Sequence, residues 1–430
     1  MLHSRIAGFP HFSLGLFPAV LLAVASLAAA QETVIHSFPS HPGDGKAPGS
    51  GLVADGTGAF YGVTTNGGTP CSQYSSGCGV AYKLTPPASG SGPWTEEILY
   101  SFTGKADGGF PNGNLLIDGA SKVVYGTASI GGAGGDGGIF TLTPGNPWTE
   151  NLIYSFKADR FSAPTGGVVS YHGDLFGVAS GGSRYDQGVL YRLRPLSASG
   201  GSWEENTLYV FDYGLVGAVP PTPIVDGTGN LYGTTRNGPS GADGMVYKIA
   251  APAGGSGKWT LTTLYSFTGG ADGGDPLGSL MFDSSGALYG TTAFGGAYNF
   301  GTVFKLTPPA GGSGAWTESA LYSFTGGADG GIPGSAVIFD SAGNLYGTTD
   351  SGGDLSCRRS GGCGVVFKLT PPTVTRGDWT ESVEYAFAGG SDGYWPFYPP
   401  ILGVNGNIYG TTTDTNQNTG GNGIAYEITP

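Results

Sequence analysis

Residues 288–324 read LYGTTAFGGAYNFGTVFKLTPPAGGSGAWTESALYSF. Three phrases of this stretch, LYGTT, GTVFKLTP and LYSF, return along the chain in the same order with small variations. The phenylalanine that ends the third phrase recurs in steps of 54 to 64 residues, at Phe38, Phe102, Phe156, Phe211, Phe267, Phe324 and Phe387. Repeats of this length are typical of propellers and solenoids, because one unit cannot bury its apolar faces without neighbours.

Each repeat predicts four short strands, which we name a, b, c and d in chain order. In the repeat quoted above these are residues 279–283, 287–292, 301–307 and 316–324. The strands are rich in Thr, Tyr, Val and Phe, whereas the segments between them are rich in Gly and Pro, which favour turns. Four short antiparallel strands make one blade of a propeller.

The number of strands predicts how the array ends. Strands a, b and c occur seven times, but a lone strand d, residues 32–38, comes before the first repeat. Pairing it with the last strand, residues 423–429, completes a seventh blade and removes both exposed sheet edges. The sequence therefore predicts an all-β, seven-bladed β-propeller of four-stranded antiparallel blades, closed by the N-terminal strand pairing with the C-terminal blade. An open superhelix is the alternative.

The predicted c-to-d hairpin also has a predicted register. If Thr307 faces Trp316, then Lys305 faces Glu318, and opposite charges at such positions stabilise a sheet slightly. The same register predicts the pairs Lys83–Glu96, Arg192–Glu205 and Lys368–Glu381, and it sets Glu32 against Glu427 in the closing blade.

Composition and the N-terminus indicate the compartment. The chain of 430 residues is 11% charged with a formal net charge of −13, so we expect nucleic acid to be a poor partner. Residues 1–30 combine Arg5 with an apolar run that ends in three alanines, which predicts a cleavable signal peptide; the alternative is a retained anchor. Residues 31–430 form the propeller, with no later membrane span, and we expect a secreted or cell-surface monomer.

Four cysteines occur as two close pairs, each between strands b and c of its own repeat. Disulfides Cys71–Cys78 and Cys357–Cys363 are the simplest pairing, and an export signal favours oxidation. A zinc site is the rival interpretation, but no histidine lies near either pair and the gaps are longer than zinc sites use.

The phrases at residues 264–274, 301–308 and 343–349 resemble the Gloeo/Verruco (GloVer) tandem repeat of secreted bacterial proteins. The resemblance covers nearly all of residues 32–430, and it is weakest at residues 157–166 and 212–223, which lack the Asp-Gly-Gly loop. It implies an exported protein, often sorted to the cell surface, and supplies no catalytic residues. Because the chain stops at Pro430 without a sorting segment, we expect release rather than anchoring.

Alternating strand directions place the d-to-a and b-to-c loops on one face of the ring, which we name the loop face. Its loops carry aromatic residues that suit stacking on sugar rings or contact with a protein partner. These candidate ligand-binding residues are Tyr74, Phe110, Tyr185, Tyr213, Tyr298, Phe300, Tyr394, Trp395, Phe397 and Tyr398. The alternative is that the rings pack over the blade ends beneath Gly-rich loops.

The same face carries loop aspartates, at Asp44, Asp107, Asp159, Asp272, Asp329 and Asp392. Carboxylates can supply oxygen ligands to Ca²⁺, and Asp107, Asp272, Asp329 and Asp392 are the candidate metal ligands. The structural alternative is stronger, because Asp before Gly commonly caps its own turn. No cofactor besides Ca²⁺ is expected.

No catalytic group can be assembled from the sequence. His36 and His41 lie in a closing strand and a loop, and His172 lies on the other face, so no pair is expected to converge. We therefore expect a non-catalytic binding module for an extracellular glycan or protein. An extracellular propeller lyase or hydrolase and a structural envelope component are the alternatives.

Overall fold

The computed structural model describes residues 30–41, 43–71, 74–90, 92–157, 163–180, 188–197, 201–211, 221–252, 257–312, 314–357, 361–374, 377–414 and 422–430. Within these ranges, 29 strands form seven antiparallel sheets. Two short 3₁₀ turns, Pro239–Gly241 and Gly390–Asp392, are the helical segments of the described residues. None of the helices found there has the length and apolar character needed to cross a membrane.

The strands of the N-terminal half follow one another blade by blade. They are β1 (Gln31–Ser37); then β2 (Gly45–Pro48), β3 (Val53–Ala54), β4 (Phe60–Gly67), β5 (Val80–Thr85) and β6 (Thr95–Ser101) in blade 1; β7 (Gly109–Ile117), β8 (Val124–Ile130), β9 (Gly138–Thr143) and β10 (Thr149–Ser155) in blade 2; and β11 (Val169–Tyr171), β12 (Asp174–Ala179), β13 (Val189–Pro195) and β14 (Trp203–Val210) in blade 3.

The remaining blades repeat the pattern. Their strands are β15 (Ile224–Val225), β16 (Leu231–Thr235), β17 (Met245–Ala250) and β18 (Thr260–Ser266) in blade 4; β19 (Met281–Phe282), β20 (Leu288–Thr292), β21 (Thr302–Thr307) and β22 (Thr317–Ser323) in blade 5; β23 (Ile338–Phe339), β24 (Leu345–Thr349), β25 (Val365–Thr370) and β26 (Thr380–Ala386) in blade 6; and β27 (Ile401–Leu402), β28 (Ile408–Thr412) and β29 (Ile424–Thr429) in blade 7.

The N-terminal strand completes blade 7, as the strand count predicts. Its partner is β29, and the pairs run from Gln31 opposite Thr429 to Ser37 opposite Ile424. The Phe38 backbone N–H extends this contact by donating to the Gly423 carbonyl at 3.1 Å. The fold is therefore a closed seven-bladed β-propeller. Blade 1 departs slightly from the pattern, because its strand a is divided into β2 and β3, both of which pair with β4.

The predicted c-to-d register is wrong by one residue. Glu318 lies opposite Leu306, and Lys305 lies opposite Ser319. The same offset separates Lys83 from Glu96, Arg192 from Glu205, Lys368 from Glu381 and Glu32 from Glu427. The ladder pairs Thr307 with Thr317 rather than with Trp316. The tryptophan of this repeat position packs against the preceding blade; Trp94, for example, contacts Tyr409 of blade 7 at 5.8 Å between ring centroids. The lysines instead lie over strand-b tyrosines, as Lys305 does over Tyr289 at 5.0 Å.

Seven buried aromatic pairs hold the blades together. In each pair the phenylalanine after strand d contacts the strand-c aromatic ring of the next blade, with ring centroids 4.9 to 5.3 Å apart. The pairs are Phe38–Tyr82, Phe102–Phe140, Phe156–Tyr191, Phe211–Tyr247, Phe267–Phe304, Phe324–Phe367 and Phe387–Tyr426. The apolar core therefore lies at the seams between blades, and the N-terminal strand supplies one member of the closing pair.

The glycine of the LYGTT phrase makes room for these rings. A Cβ atom on Gly290 would lie 2.6 Å from Phe304 Cζ and 3.0 Å from Leu280 Cδ2, which is closer than Cβ contacts allow. Phe304 and Leu280 are themselves buried, so neither side chain can move away cheaply.

We expect Gly290→Ala to destabilise the protein by about 1–3 kcal/mol, because it overpacks a full core. The measurement is the urea midpoint of unfolding. Gly227→Ala is the matched control, since a Cβ there meets nothing within 4 Å. Equal midpoints for the two variants would contradict this role of Gly290.

Candidate functional site

A cavity of about 470 Å³ opens at the seam between blades 6 and 7, and we name it the aromatic pocket. It is lined by Ile332, Asp350, Ser351, Gly362, Trp395, Phe397 and Thr413. These residues come from d-to-a and b-to-c loops, so the pocket lies on the loop face. Two aromatic side chains, one carboxylate and two hydroxyl groups thus meet in one cavity.

The backbone holds Trp395 in a defined position. Trp395 has φ +59°, a left-handed conformation that is unfavourable for an aromatic residue, and Pro396 follows it. Its N–H donates to the Cys363 carbonyl at 3.2 Å, and its carbonyl accepts from the N–H groups of Thr413 at 3.2 Å and Phe397 at 2.8 Å. Strained backbone of this kind is often found at ligand sites, where the surrounding structure maintains it.

The same backbone position recurs around the ring with different side chains. Each such residue precedes a proline and has a positive φ: Ala47, Phe110, Ala163, Asp275, Ile332 and Trp395. The fold therefore presents a set of variable side chains from a constant backbone on the loop face.

Both predicted disulfides form, with Cα–Cα distances of 5.8 Å for Cys71–Cys78 and 6.0 Å for Cys357–Cys363. Each one supports an aromatic member of that set, because the Cys78 carbonyl accepts from the Phe110 N–H at 2.8 Å and the Cys363 carbonyl accepts from Trp395. The disulfides thus stabilise the b-to-c loops against which the neighbouring aromatic residues are fixed.

A polar atom among the residues that line the aromatic pocket lacks a hydrogen-bond partner within the described residues. The Ser351 hydroxyl is buried and has no hydrogen-bond partner among the described residues. Its loop is rigidly connected, since the Ser351 N–H and carbonyl both bond to the backbone of Gly331, at 3.1 and 2.9 Å. Buried polar groups are normally satisfied, so a bound hydroxyl or amide is a natural partner for this one.

Other predicted aromatic residues do not reach this pocket. Tyr74 lies on Phe110 at 4.7 Å between ring centroids, on the blade 1 side of the loop face. Tyr298 and Phe300 are exposed on blade 5, 60% and 39% respectively. Tyr185 and Tyr213 lie outside the described residues.

Two members of the Tyr394–Tyr398 cluster point elsewhere. Tyr394 was expected among the exposed loop rings, but it is buried in the blade 6–7 core, because its N–H pairs with the Asp414 carbonyl and draws the residue inward. Tyr398 lines the central channel of the propeller, where burial raises its pKa to about 12.

The central channel contains a cavity of about 310 Å³ lined mainly by glycine, serine, threonine and proline of the strand-a segments. Arg236 is the charged member of that lining, and its guanidinium pairs with both carboxylate oxygens of Asp275 at 2.8 and 2.7 Å. Neither histidine nor glutamate is among the residues that line this cavity. The feature that would favour a lyase or hydrolase is therefore not found at this position.

The predicted metal-ligand aspartates bond to their own loops. Asp272 accepts from the Tyr265 hydroxyl at 3.0 Å and from the Thr268 N–H at 2.9 Å. Asp107, Asp329 and Asp392 accept the equivalent pair of hydrogen bonds, and Asp159 lies outside the described residues. Each carboxylate belongs to a different seam, so the structure does not bring them together, and Ca²⁺ binding by them stays a prediction.

Each of these aspartates faces a glutamate of strand d, a contact that the sequence pattern did not predict. Burial, and then the charge of Asp272, raises the pKa of Glu318 from an ordinary 4.5 to about 7. Burial and a neighbouring aspartate also raise the pKa of Glu150, Glu381 and Glu32 to about 7. The signal was present in the sequence as a Glu at the second position of the strands β1, β10, β22 and β26.

These glutamates predict how stability depends on pH. Between about pH 4.5 and 7 these glutamates bind more protons in the folded protein than in the unfolded chain. Their contribution to the stability of the fold is therefore complete below about pH 4.5 and is lost as the pH rises through 7. We expect a higher thermal midpoint at pH 5 than at pH 8, and a smaller difference in Glu318→Gln. Glu204→Gln, at an exposed strand position, is the control and keeps the wild-type difference. A pH-independent midpoint contradicts this account.

Several pocket residues could not be found from the sequence. Asp350 and Thr413 follow the LYGTT phrases of consecutive repeats, but only the closed ring brings their loops together. What the sequence does show is that the residue directly after the LYGTT phrase differs from repeat to repeat. This variation indicates that the scaffold does not need a particular side chain at that position.

The strand order and the seam cores define a tandem-repeat β-propeller with a pocket on its loop face. Residues 23–238 and 220–430 match the model of the Gloeobacter/Verrucomicrobia repeat, and the chain belongs to this family. A comparison with curated proteins finds no match.

Solved structures share a distant likeness. A gluconolactonase from Xanthomonas campestris has 14% identity and a TM-score of 0.40, over 74% of this chain and 84% of that protein. A puromycin-hydrolyzing peptidase from Mycobacterium tuberculosis has 14% identity and a TM-score of 0.49, over 85% of this chain and 49% of its own. An endo-arabinase from Bacteroides thetaiotaomicron has 14% identity and a TM-score of 0.33, over 65% of this chain and 94% of that protein.

Proposed function

We propose that this protein is an exported propeller that binds a carbohydrate in the aromatic pocket. The observation that carries the proposal is the meeting of Trp395 and Phe397 with the Asp350 carboxylate and the Ser351 hydroxyl in one cavity. Sugars have apolar C–H faces that pack on aromatic rings and hydroxyl groups that bond to carboxylates and hydroxyls. The pocket offers both kinds of contact.

The size and rigidity of the aromatic pocket support the same ligand class. Its volume of about 470 Å³ lies within the range of about 300–1,000 Å³ of small-ligand sites. The left-handed backbone and Pro396 fix Trp395, and the Cys357–Cys363 disulfide lies behind it, so little ordering is needed when a ligand binds. We expect the pocket to take the end or a short segment of a glycan.

Export agrees with the two disulfides and with the N-terminal segment. Cleavage before Gln31 frees β1 at its first residue, which is the strand that closes the ring. The surface is acidic overall, which favours a neutral or basic glycan over an anionic polymer. Mass spectrometry of the exported protein checks the cleavage, with Gln31 expected at the N-terminus.

The experiment is a glycan-array screen of the exported protein, followed by calorimetric titration of the best ligand. Trp395→Ala is expected to weaken binding at least tenfold, because it removes the main stacking surface; each tenfold loss corresponds to about 1.4 kcal/mol. A parallel titration with Ca²⁺ and with EDTA tests whether the loop aspartates contribute.

The matched control is Tyr298→Ala, which removes an exposed aromatic ring of the same face but outside the aromatic pocket. It is expected to bind like the wild type. Equal losses in both variants would place binding elsewhere on the loop face. If the protein binds no glycan on the array, the proposal is overturned, and a protein partner, an enzymatic role or a structural role in the envelope is favoured.

A further inference from the structure

The seam between blades 7 and 1 differs from the other seams in two ways. His36 occupies the position at which Tyr100, Tyr265, Tyr322 and Tyr385 donate to a loop aspartate elsewhere. The loop from Phe38 to Asp44 is also one residue longer than its counterparts, and it carries His41. Two departures from the repeat therefore bring imidazole nitrogens to one seam.

Both histidines converge on one carboxylate, that of Glu96, contrary to the expectation that no pair converges. His36 Nε2 lies 3.2 Å from Asp44 Oδ2 and 3.7 Å from Glu96 Oε1. His41 Nε2 lies 3.1 Å from the other oxygen of Glu96. The convergence could not be predicted, because Glu96 belongs to blade 1 and meets β1 only when the ring is closed.

This cluster is buried and one of its atoms is unsatisfied. The side chains of His36, Asp44 and Glu96 are 9%, 0% and 5% exposed. Glu96 Oε1 has no hydrogen-bond partner among the described residues, although it points toward His36. Among the described residues, this is the one group of three or more histidine, cysteine or acidic side chains whose ligand atoms all lie within 4.8 Å of one another.

We propose that His36, Asp44 and Glu96 bind a divalent transition metal such as Zn²⁺. Zinc–ligand bonds of about 2.0–2.2 Å in a tetrahedron separate the ligand atoms by roughly 3.3 Å, close to the separations found here. Mixed nitrogen and oxygen ligands favour zinc and its neighbours over Ca²⁺ and Mg²⁺, which prefer oxygen. His41 holds the second oxygen of Glu96 and so orients it.

The metal would connect the two ends of the ring. His36 belongs to β1, which completes blade 7, whereas Glu96 belongs to β6 of blade 1. A cleft of about 400 Å³, lined in part by Ser40, His41 and Asp44, lies beside the site. Because the unfolded chain lacks this arrangement, metal binding stabilises the closed ring by mass action.

The test uses the complete exported protein, stripped with EDTA and titrated with Zn²⁺ by calorimetry and with Co²⁺ by visible absorption. We expect one equivalent of Zn²⁺, a higher thermal midpoint with Zn²⁺, and the intense Co²⁺ bands of a four-coordinate site. His36→Tyr is expected to weaken Zn²⁺ binding at least tenfold and to remove the midpoint shift. We expect the variant to fold, since four other seams hold a tyrosine against the aspartate that is equivalent to Asp44.

Glu96→Gln is the second variant and removes a ligand from the opposite side of the seam. His172→Asn is the control: His172 lies in the β11–β12 turn with φ +51°, which asparagine tolerates, and the variant keeps full binding. The proposal is overturned if wild-type protein gives neither binding heat nor Co²⁺ bands. It is equally overturned if His36→Tyr and Glu96→Gln bind Zn²⁺ as tightly as the wild type.

Discussion

The structure depends on one contact, repeated seven times, between a phenylalanine that follows strand d and an aromatic ring on strand c of the next blade. Phe267 on Phe304 is an example, and Gly290 in strand b leaves the space that the Phe304 ring fills. The three repeated phrases of the sequence each supply one part of this arrangement. The regular spacing of these phrases along the chain follows from geometry. Each blade must present its phenylalanine to the next blade and its strand-c aromatic ring to the preceding one.

The closed ring explains why both proposed sites lie at seams. Blade interiors are filled by their own strands, whereas loops of neighbouring blades meet only where the seams reach the loop face. At the blade 6–7 seam, a disulfide and a left-handed backbone fix Trp395 beside Asp350 and Ser351. At the blade 7–1 seam, the tyrosine–aspartate–glutamate arrangement of the other seams becomes His36, Asp44 and Glu96. One scaffold contact thus positions two different sets of polar and aromatic side chains that the core does not constrain.

Much of the fold followed from the sequence, because the repeat and the lone N-terminal strand together require closure. Trp395 stands out in the sequence as the one tryptophan outside the strand-d position, and its role in binding stays a prediction. The hairpin register was wrong by one residue, since the pattern of charges did not reveal that Thr317, rather than Trp316, lies opposite Thr307. Tyr394 was misplaced because exposure depends on which neighbouring loop covers a ring, and Asp350 and Glu96 gain their partners only from another blade.

The free energy of unfolding of Phe38→Ala, measured beside Phe267→Ala, tests the closed ring most directly. Phe38 lies on the N-terminal strand and contacts Tyr82 of blade 1, whereas Phe267 makes the same contact between two internal blades. If the N-terminal strand closes the propeller, both variants lose about 3–5 kcal/mol. A loss in Phe267→Ala with no loss in Phe38→Ala would show that the first strand is not part of the ring.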